Sequence, residues 1–402
     1  MALNLEDMKR TSRFNTFSSR VLEELHHFII YPHQRDALLA LRTWYNNDCT
    51  RIGLVVIPTG GGKSGIAVLA PYVLNTTRVL VVTPSLQITN QLAADFGRQP
   101  TKSFYVKQGI VTGDAADMFV EPVRIVNEGR DLGDLAENLV IVNAHKFGTN
   151  SSVDWEKLNQ KAFNLLIVDE AHHFPAPTWS KIVSHFKCKI VFLTATPFRG
   201  GQPILDNQDG RICFEISLNS LMNNGIIRRT QFLEIGNHVD SGVERMHLLS
   251  KEILRILDKH DQCDNVVQHQ AMVLMKEKND TTSFATQLNK ISPNSAASYT
   301  GDTKNSNSVL QRFENGQLRV LVVCGKLLEG YDRKQVSLCV IARNVQPQSK
   351  VLFTQFVGRC LRKIRPDDPV DGTILTHVFY NQRQNYENLN EIAEEDPDDE
   401  QD

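Results

Sequence analysis

The sequence predicts an α/β protein built on two parallel sheets. Short apolar, β-branched runs recur along the chain with amphipathic stretches between them, in two sets of about five. The runs are apolar throughout rather than alternating, which suits strands buried on both faces beneath covering helices. The first run leads directly into a glycine-rich loop, IPTGGGKS, and then into a helical pattern, the strand–loop–helix order of a phosphate site.

In chain order the first set is RIGLVVI, RVLVVT, LVIVNA, NLLIVDE and CKIVFLT, and the second is QFLEI, AMVLM, RVLVV, SLCVIA and TILTHVF. Two such sets imply two α/β domains. The stretch 198–230 between them is rich in Gly, Asn, Gln and Arg, and runs through a helix-like SLNSLMNNG. The expected organisation is a flexible leader at 1–20, a first domain at 21–205, a linker at 206–230, a second domain at 231–388 and an acidic disordered tail at 389–402.

Composition supports this size. The chain has 402 residues, 41% of them hydrophobic, enough for two domains with sizeable cores. Net charge is −2, yet the last twelve residues, EIAEEDPDDEQD, hold eight of the 46 acidic groups and no base. The remaining body carries 44 basic against 38 acidic groups, an excess that permits a polyanionic partner. Seven cysteines lie far apart without a CxxC pair, so neither a zinc ribbon nor a disulfide framework is expected, and the setting is read as reducing. No apolar run approaches the ~18 residues of a membrane span, which excludes a membrane partner at this level. Lys9, Arg10, Arg13 and Arg20 give the leader a faint mitochondrial character, opposed by Glu6 and Asp7. An intracellular location, cytoplasmic or nuclear, is expected, with a mitochondrial one left open.

In IPTGGGKS, Thr59 precedes three glycines. Gly60, Gly61 and Gly62 let successive backbone N–H groups point into one concavity beside the positive end of the next helix. Lys63 is placed to reach the β and γ phosphates of ATP, and the Ser64 hydroxyl to hold Mg²⁺. The general pattern starts with glycine, where this sequence has Ile57. A second buried strand, NLLIVDEAHH, supplies carboxylates at its end. Asp169 is expected to hold Mg²⁺ through water, and Glu170 to orient or deprotonate the attacking water, which favours hydrolysis over phosphoryl transfer. His172 and His173 lack the further ligands that a zinc site needs.

With VDEAHH the sequence resembles the superfamily 2 helicases, whose second motif reads DEAD or DEAH. Further stretches are similar to that superfamily's motifs in order. YPHQRDAL resembles the adenine-reading motif, through Gln34 with Tyr31. VVTPSLQITNQ resembles a strand-tracking motif, through Thr83, Pro84 and Ser85. LTATPFRG resembles the coupling motif, through Thr194 and Thr196. In the second half AMVLMKEKNDTTSFATQL has its counterpart, YTGDT offers Thr300 and Gly301 to a nucleic-acid strand, and LLEGYD offers Gly330 and Asp332 to the nucleotide. TQFVGRCLR matches closely, with Gln355, Arg359 and Arg362 at catalytic positions. These two arginines are three apart and are expected to share one helix face. The usual threonine before LLEGYD is replaced by Cys324, so Lys326 or backbone N–H groups are the expected phosphate contacts there.

The resemblance spans roughly residues 29–365 and implies two tandem RecA-like domains with parallel central sheets. DEAHH, LTATPFRG and FEISLNSLMNNGIIRR look most like the branch of type III restriction and excision-repair-like proteins. The resemblance implies ATP and Mg²⁺ as cofactors and nucleic acid as partner, DNA favoured and RNA open. It also implies ATP-driven movement along a strand, and a protein partner that supplies specificity is left open. An RNA-stimulated ATPase, an interaction subunit that turns over little, and a small-molecule P-loop kinase are the other readings left open.

Overall fold

The computed structural model describes residues 15–19, 21–23, 25, 27, 30–113, 123–128, 131–132, 137–148, 153–199, 202–205, 209–301, 303, 306–325, 331–346 and 350–391. Most of the expected leader, the tail beyond residue 391, Lys326 and Gly330 lie outside them. Contacts group the chain into two compact units. One joins Met1–Ile57 to Gly62–Ile216, and the other joins Pro58–Gly61 to Ser217–Asp402.

The first unit is built on a seven-stranded sheet of order β3-β4-β2-β5-β6-β1-β9. Its strands are β1 (Ile52–Val56), β2 (Val79–Thr83), β3 (Val123–Val126), β4 (Leu139–Asn143), β5 (Leu165–Asp169), β6 (Lys189–Thr194) and β9 (Gly210–Glu215). All its pairings are parallel. β1, β2 and β4 are buried at every residue, as continuous apolar runs require. One face packs Leu54, Val82, Val142, Val168 and Phe192 into a core with Trp179 and Phe186. A small antiparallel ribbon of β7 (Phe198–Arg199) and β8 (Gln202–Pro203) follows β6.

The second unit has a six-stranded sheet of order β10-β15-β14-β11-β13-β12. Its strands are β10 (Thr230–Ile235), β11 (Gln270–Leu274), β12 (Ala296–Tyr299), β13 (Val320–Val323), β14 (Val336–Ile341) and β15 (Gly372–His377). It too is parallel throughout. Helix Gly242–Cys263 opens on a capping box, in which Ser241 Oγ accepts from Glu244 N and Glu244 accepts from Ser241 N. Leu249, Ile253 and Leu257 on that helix pack against Val273, Val322 and Val340.

The fold is thus α/β with two tandem RecA-like parallel sheets, as read from the sequence. The expected linker is shortened, because Gly210–Glu215 within it is a strand paired with β1. β9 escaped notice because it lies at the sheet edge, where Arg211 and Ile212 face outward and the apolar pattern is broken. β3 and β12, also edge strands, are short and only partly buried for the same reason.

Candidate active site

In a sheet whose strands all run one way, the ends of the strands share one edge, and ligands bind in the crevice beyond it. β1 ends at Val56, β2 at Thr83, β5 at Asp169 and β6 at Thr194. The loop, the carboxylates and the coupling threonines therefore converge because of topology, although they lie far apart in sequence.

Ile57 prolongs β1. It is fully buried, its N–H donates to Thr194 O at 3.0 Å, and its carbonyl accepts Lys63 Nζ at 3.2 Å. A branched side chain stands where the general pattern has glycine, one residue past β1, where the backbone still bonds to the end of β6. Gly60 and Gly62 take φ of 92° and 85°, the left-handed region that glycine enters without strain. Gly62 is doubly constrained: a Cβ there would lie 2.5 Å from Gln34 Nε2. Gln34 is 4% exposed and spends its amide inside the protein, with Oε1 accepting from Tyr31 N at 2.9 Å and Nε2 donating to Gly62 O at 2.7 Å. Tyr31 beside it is exposed and stacks on His33.

Lys63 opens the helix Lys63–Val73, and its ammonium lies 3.9 Å from Glu170 Oε1. Asp169 Oδ1 accepts from Glu170 N at 3.0 Å. Burial, then the neighbouring Glu170 charge, hold the Asp169 carboxyl well above the usual carboxylate range, against the opposing pull of Lys63. Glu170 takes φ 51°, ψ 53°, a left-handed conformation that costs a non-glycine residue about 1–3 kcal/mol. His172 Nδ1 lies 3.4 Å from Glu170 Oε2 and 3.5 Å from Thr194 Oγ1. Thr194 Oγ1 donates to Thr196 O at 3.0 Å and accepts from Thr196 N at 3.1 Å, so both coupling residues are buried beside the carboxylates.

The expected strand contacts fare differently. Thr83 is fully buried, its hydroxyl bonded to Thr89 Oγ1 at 2.6 Å and Val142 O at 3.3 Å, and Pro84 is buried with it. Neither side chain can touch a phosphate. Ser85 is half-buried and caps the helix Leu86–Phe96 by accepting from Ile88 N. The signal misread here was the hydroxyl, which at the end of a buried strand is satisfied by its own neighbours.

In the second unit Thr300 is buried and bonded through N to Thr303 Oγ1 at 2.7 Å, whereas Gly301 is exposed. Helix Lys350–Val357 stops before Gly358, so Arg359 and Arg362 do not share a helix face as expected. A turn follows, and the two side chains converge by another route. Arg359 donates to Tyr331 O at 2.5 Å and Arg362 to the same carbonyl at 2.9 Å, with Asp332 Oδ1 at 2.8 Å from Arg362. Gln355 is buried on the helix.

Sequence reasoning missed Arg228. Its guanidinium is fully buried and uses all five N–H donors, on Asp368 Oδ2 twice, Val336 O, Cys360 O and Lys334 O, at 2.8 to 3.2 Å. It ties the segment after Arg359 to the strand after Asp332. An arginine pair in a polar connecting stretch was the only hint.

Residues 27–199 match the family described as "Type III restriction enzyme, res subunit". The curated relative "Putative ATP-dependent helicase IRC3" of Saccharomyces cerevisiae is 22% identical over 369 residues, 83% of this chain and 49% of that protein. The "DNA 3'-5' translocase XPB2" of Sulfurisphaera tokodaii is 22% identical over 371 residues, 81% of this chain and 77% of that protein. Among solved structures, "The fragment structure of a putative HsdR subunit of a type I restriction enzyme from Vibrio vulnificus YJ016" superposes with a TM-score of 0.63 at 18% identity. It covers 89% of this chain and 65% of that one. The chain spans about half the length of the yeast relative. Among the described residues no helix is long and apolar enough to cross a membrane.

Proposed function

Starting from a superfamily 2 chain whose residues 27–199 match the res-subunit family, we propose an ATP-dependent nucleic-acid helicase or translocase, with DNA as the favoured track. One observation carries the reading: two adjacent half-buried carboxylates, Asp169 and Glu170, stand at the end of β5 with Lys63 3.9 Å from Glu170. The Asp169 carboxyl, raised in proton affinity by burial and then by the Glu170 charge beside it, is an oxygen donor that fits a hard divalent cation. Ser64 and Asp169 would hold Mg²⁺, whose charge would stabilise the phosphate oxygens.

Lys63 and the backbone of Thr59–Gly62 bind the β and γ phosphates in this reading, Gln34 fixes the loop through Gly62 O, and Tyr31 meets the base. Glu170 orients the attacking water and takes its proton, and Thr194 and Thr196 register that step. Arg359 and Arg362, with Gln355, stabilise charge on the transferred phosphoryl group, and Asp332 steers Arg362. The domains proposed are 21–205, extended by β9 to Ile216, and 231–388. Strand contacts rest on Ser85, Gly301 and backbone N–H groups, which predicts little sequence preference and strong salt dependence. A protein partner supplies target choice, and the excess of basic groups suits DNA. The DNA preference leans on the relative named as a DNA translocase.

The test is ATP hydrolysis by the purified protein with single-stranded DNA, duplex DNA or RNA, each compared with Glu170→Gln. Stimulation by DNA, with turnover cut about 10²-fold or more in the variant, is the expected result. Stimulation by RNA alone removes the DNA assignment. An unchanged rate in Glu170→Gln removes the catalytic one.

A further inference from the structure

The conformation of Glu170 poses a question that the residues around it answer only in part. A left-handed non-glycine residue persists where its surroundings over-determine it. Glu170 is followed at once by a single 3₁₀ turn, Ala171–His173. Within the same segment, Glu170 N bonds to Asp169, His173 N donates to Glu170 O at 3.1 Å, and Phe174 N donates to Ala171 O at 2.8 Å. The ring of His173 stacks on Trp179 with centroids 5.5 Å apart. Lys63 beside Glu170 and Thr194 Oγ1 beside His172 reach the segment through their side chains, and Ala176 N donates to His173 O at 2.9 Å.

Arg199 comes from outside it. It stands in the β7–β8 ribbon, paired with Gln202, on an exposed stretch. Its guanidinium NH1 donates to His173 O at 2.9 Å and His172 O at 3.4 Å. Both bonds come from one guanidinium nitrogen, and a charged donor makes them charge-assisted as a neutral donor would not. Phe198, next to it, is 40% exposed.

We propose that Arg199 is a positioning residue: by gripping the His172 and His173 carbonyls from the β7–β8 ribbon, it holds the turn that fixes Glu170 in its reactive conformation. This inference rests on the proposed assignment of Glu170 as the water-orienting base.

Arg199→Ala and Arg199→Lys separate positioning from bulk structure. In Arg199→Ala, kcat for ATP hydrolysis should fall about tenfold while KM for ATP stays within about twofold, because positioning is expressed in the transition state. Arg199→Lys should recover at least half of the lost rate on a logarithmic scale, since a point charge still meets the carbonyls without the fork. The readout independent of turnover is tryptophan emission. Arg199→Ala should alter the Trp179 signal, and the difference should vanish in a Trp179→Phe background. A normal kcat, or an emission difference that survives Trp179→Phe, overturns the proposal. So does a loss of rate accompanied by a lowered melting temperature and no rescue by lysine. If the parent protein hydrolyses no ATP, the functional reading falls, and the Trp179 signal still decides whether Arg199 holds the turn.

Discussion

The two units treat buried charge in opposite ways. In the first, Asp169 and Glu170 stand side by side with Lys63 at 3.9 Å, Glu170 is backbone-strained, and burial raises the Asp169 carboxyl. In the second, Arg228 and Asp368 are both fully buried and bonded at 2.8 Å, and Asp368 accepts further bonds from Ile364 N and Val370 N. Arg365 forks onto Asp264 at 2.7 and 3.0 Å, and His260 bonds Ser337 Oγ and Thr373 Oγ1. Charge that is fully answered within the chain serves structure. Charge left in tension marks where a ligand completes the set.

This contrast can be broken by experiment, helped by the fact that all three tryptophans lie in the first unit. Tryptophan emission follows that unit, while circular dichroism follows both. The largest effect is expected from Arg228→Met, which strands the buried Asp368. Stability of the second unit should drop by about 3–5 kcal/mol in urea titrations followed by circular dichroism, with the tryptophan transition unmoved. A smaller loss than that for Lys63→Ala would put the two units on the same footing.

Gly62→Ala comes next. Its φ of 85° and the clash with Gln34 Nε2 should cost about 1–2 kcal/mol, seen in the tryptophan transition, together with loss of nucleotide binding. Glu170→Gly should do the reverse, with turnover lost and the first unit made more stable by about 1 kcal/mol, because glycine accepts φ 51° without strain. A destabilised Glu170→Gly would mean that the strain is not stored there.

The smallest effect is the pH dependence that His260 and His269 give the second unit. Burial, and then His269, push the His260 imidazole down to about 4, and burial lowers His269 as well. The unfolded chain therefore takes these protons first. Stability is full above about pH 6.5 and falls as pH drops toward 4. Circular dichroism melts should show this decline, and His260→Gln should flatten it.

Much of the site was legible because its chemistry is local in sequence. IPTGGGKS and VDEAHH each place several polar groups within a few residues, so residue type and spacing were enough to single out Lys63 and Glu170, which the fold brings within 3.9 Å. The strand contacts were less legible. A hydroxyl at the end of a strand reads the same whether it faces solvent or, as with Thr83, a neighbouring Thr89. The edge strands β3, β9 and β12 were invisible for a related reason, since one-sided pairing demands little apolar sequence.

By itself the sequence determined two parallel sheets, a phosphate loop and a carboxylate pair, because double-sided burial and phosphate chemistry each impose a residue pattern on consecutive positions. Only the tertiary structure decided that Ile57 bonds to the end of β6, that Arg359 and Arg362 meet on the Tyr331 carbonyl beyond the end of their helix, and that Arg199 and Arg228 grip distant carbonyls. Those contacts join residues up to 140 positions apart. Their partners are backbone carbonyls and buried carboxylates, which leave no signature in the side chains next to them.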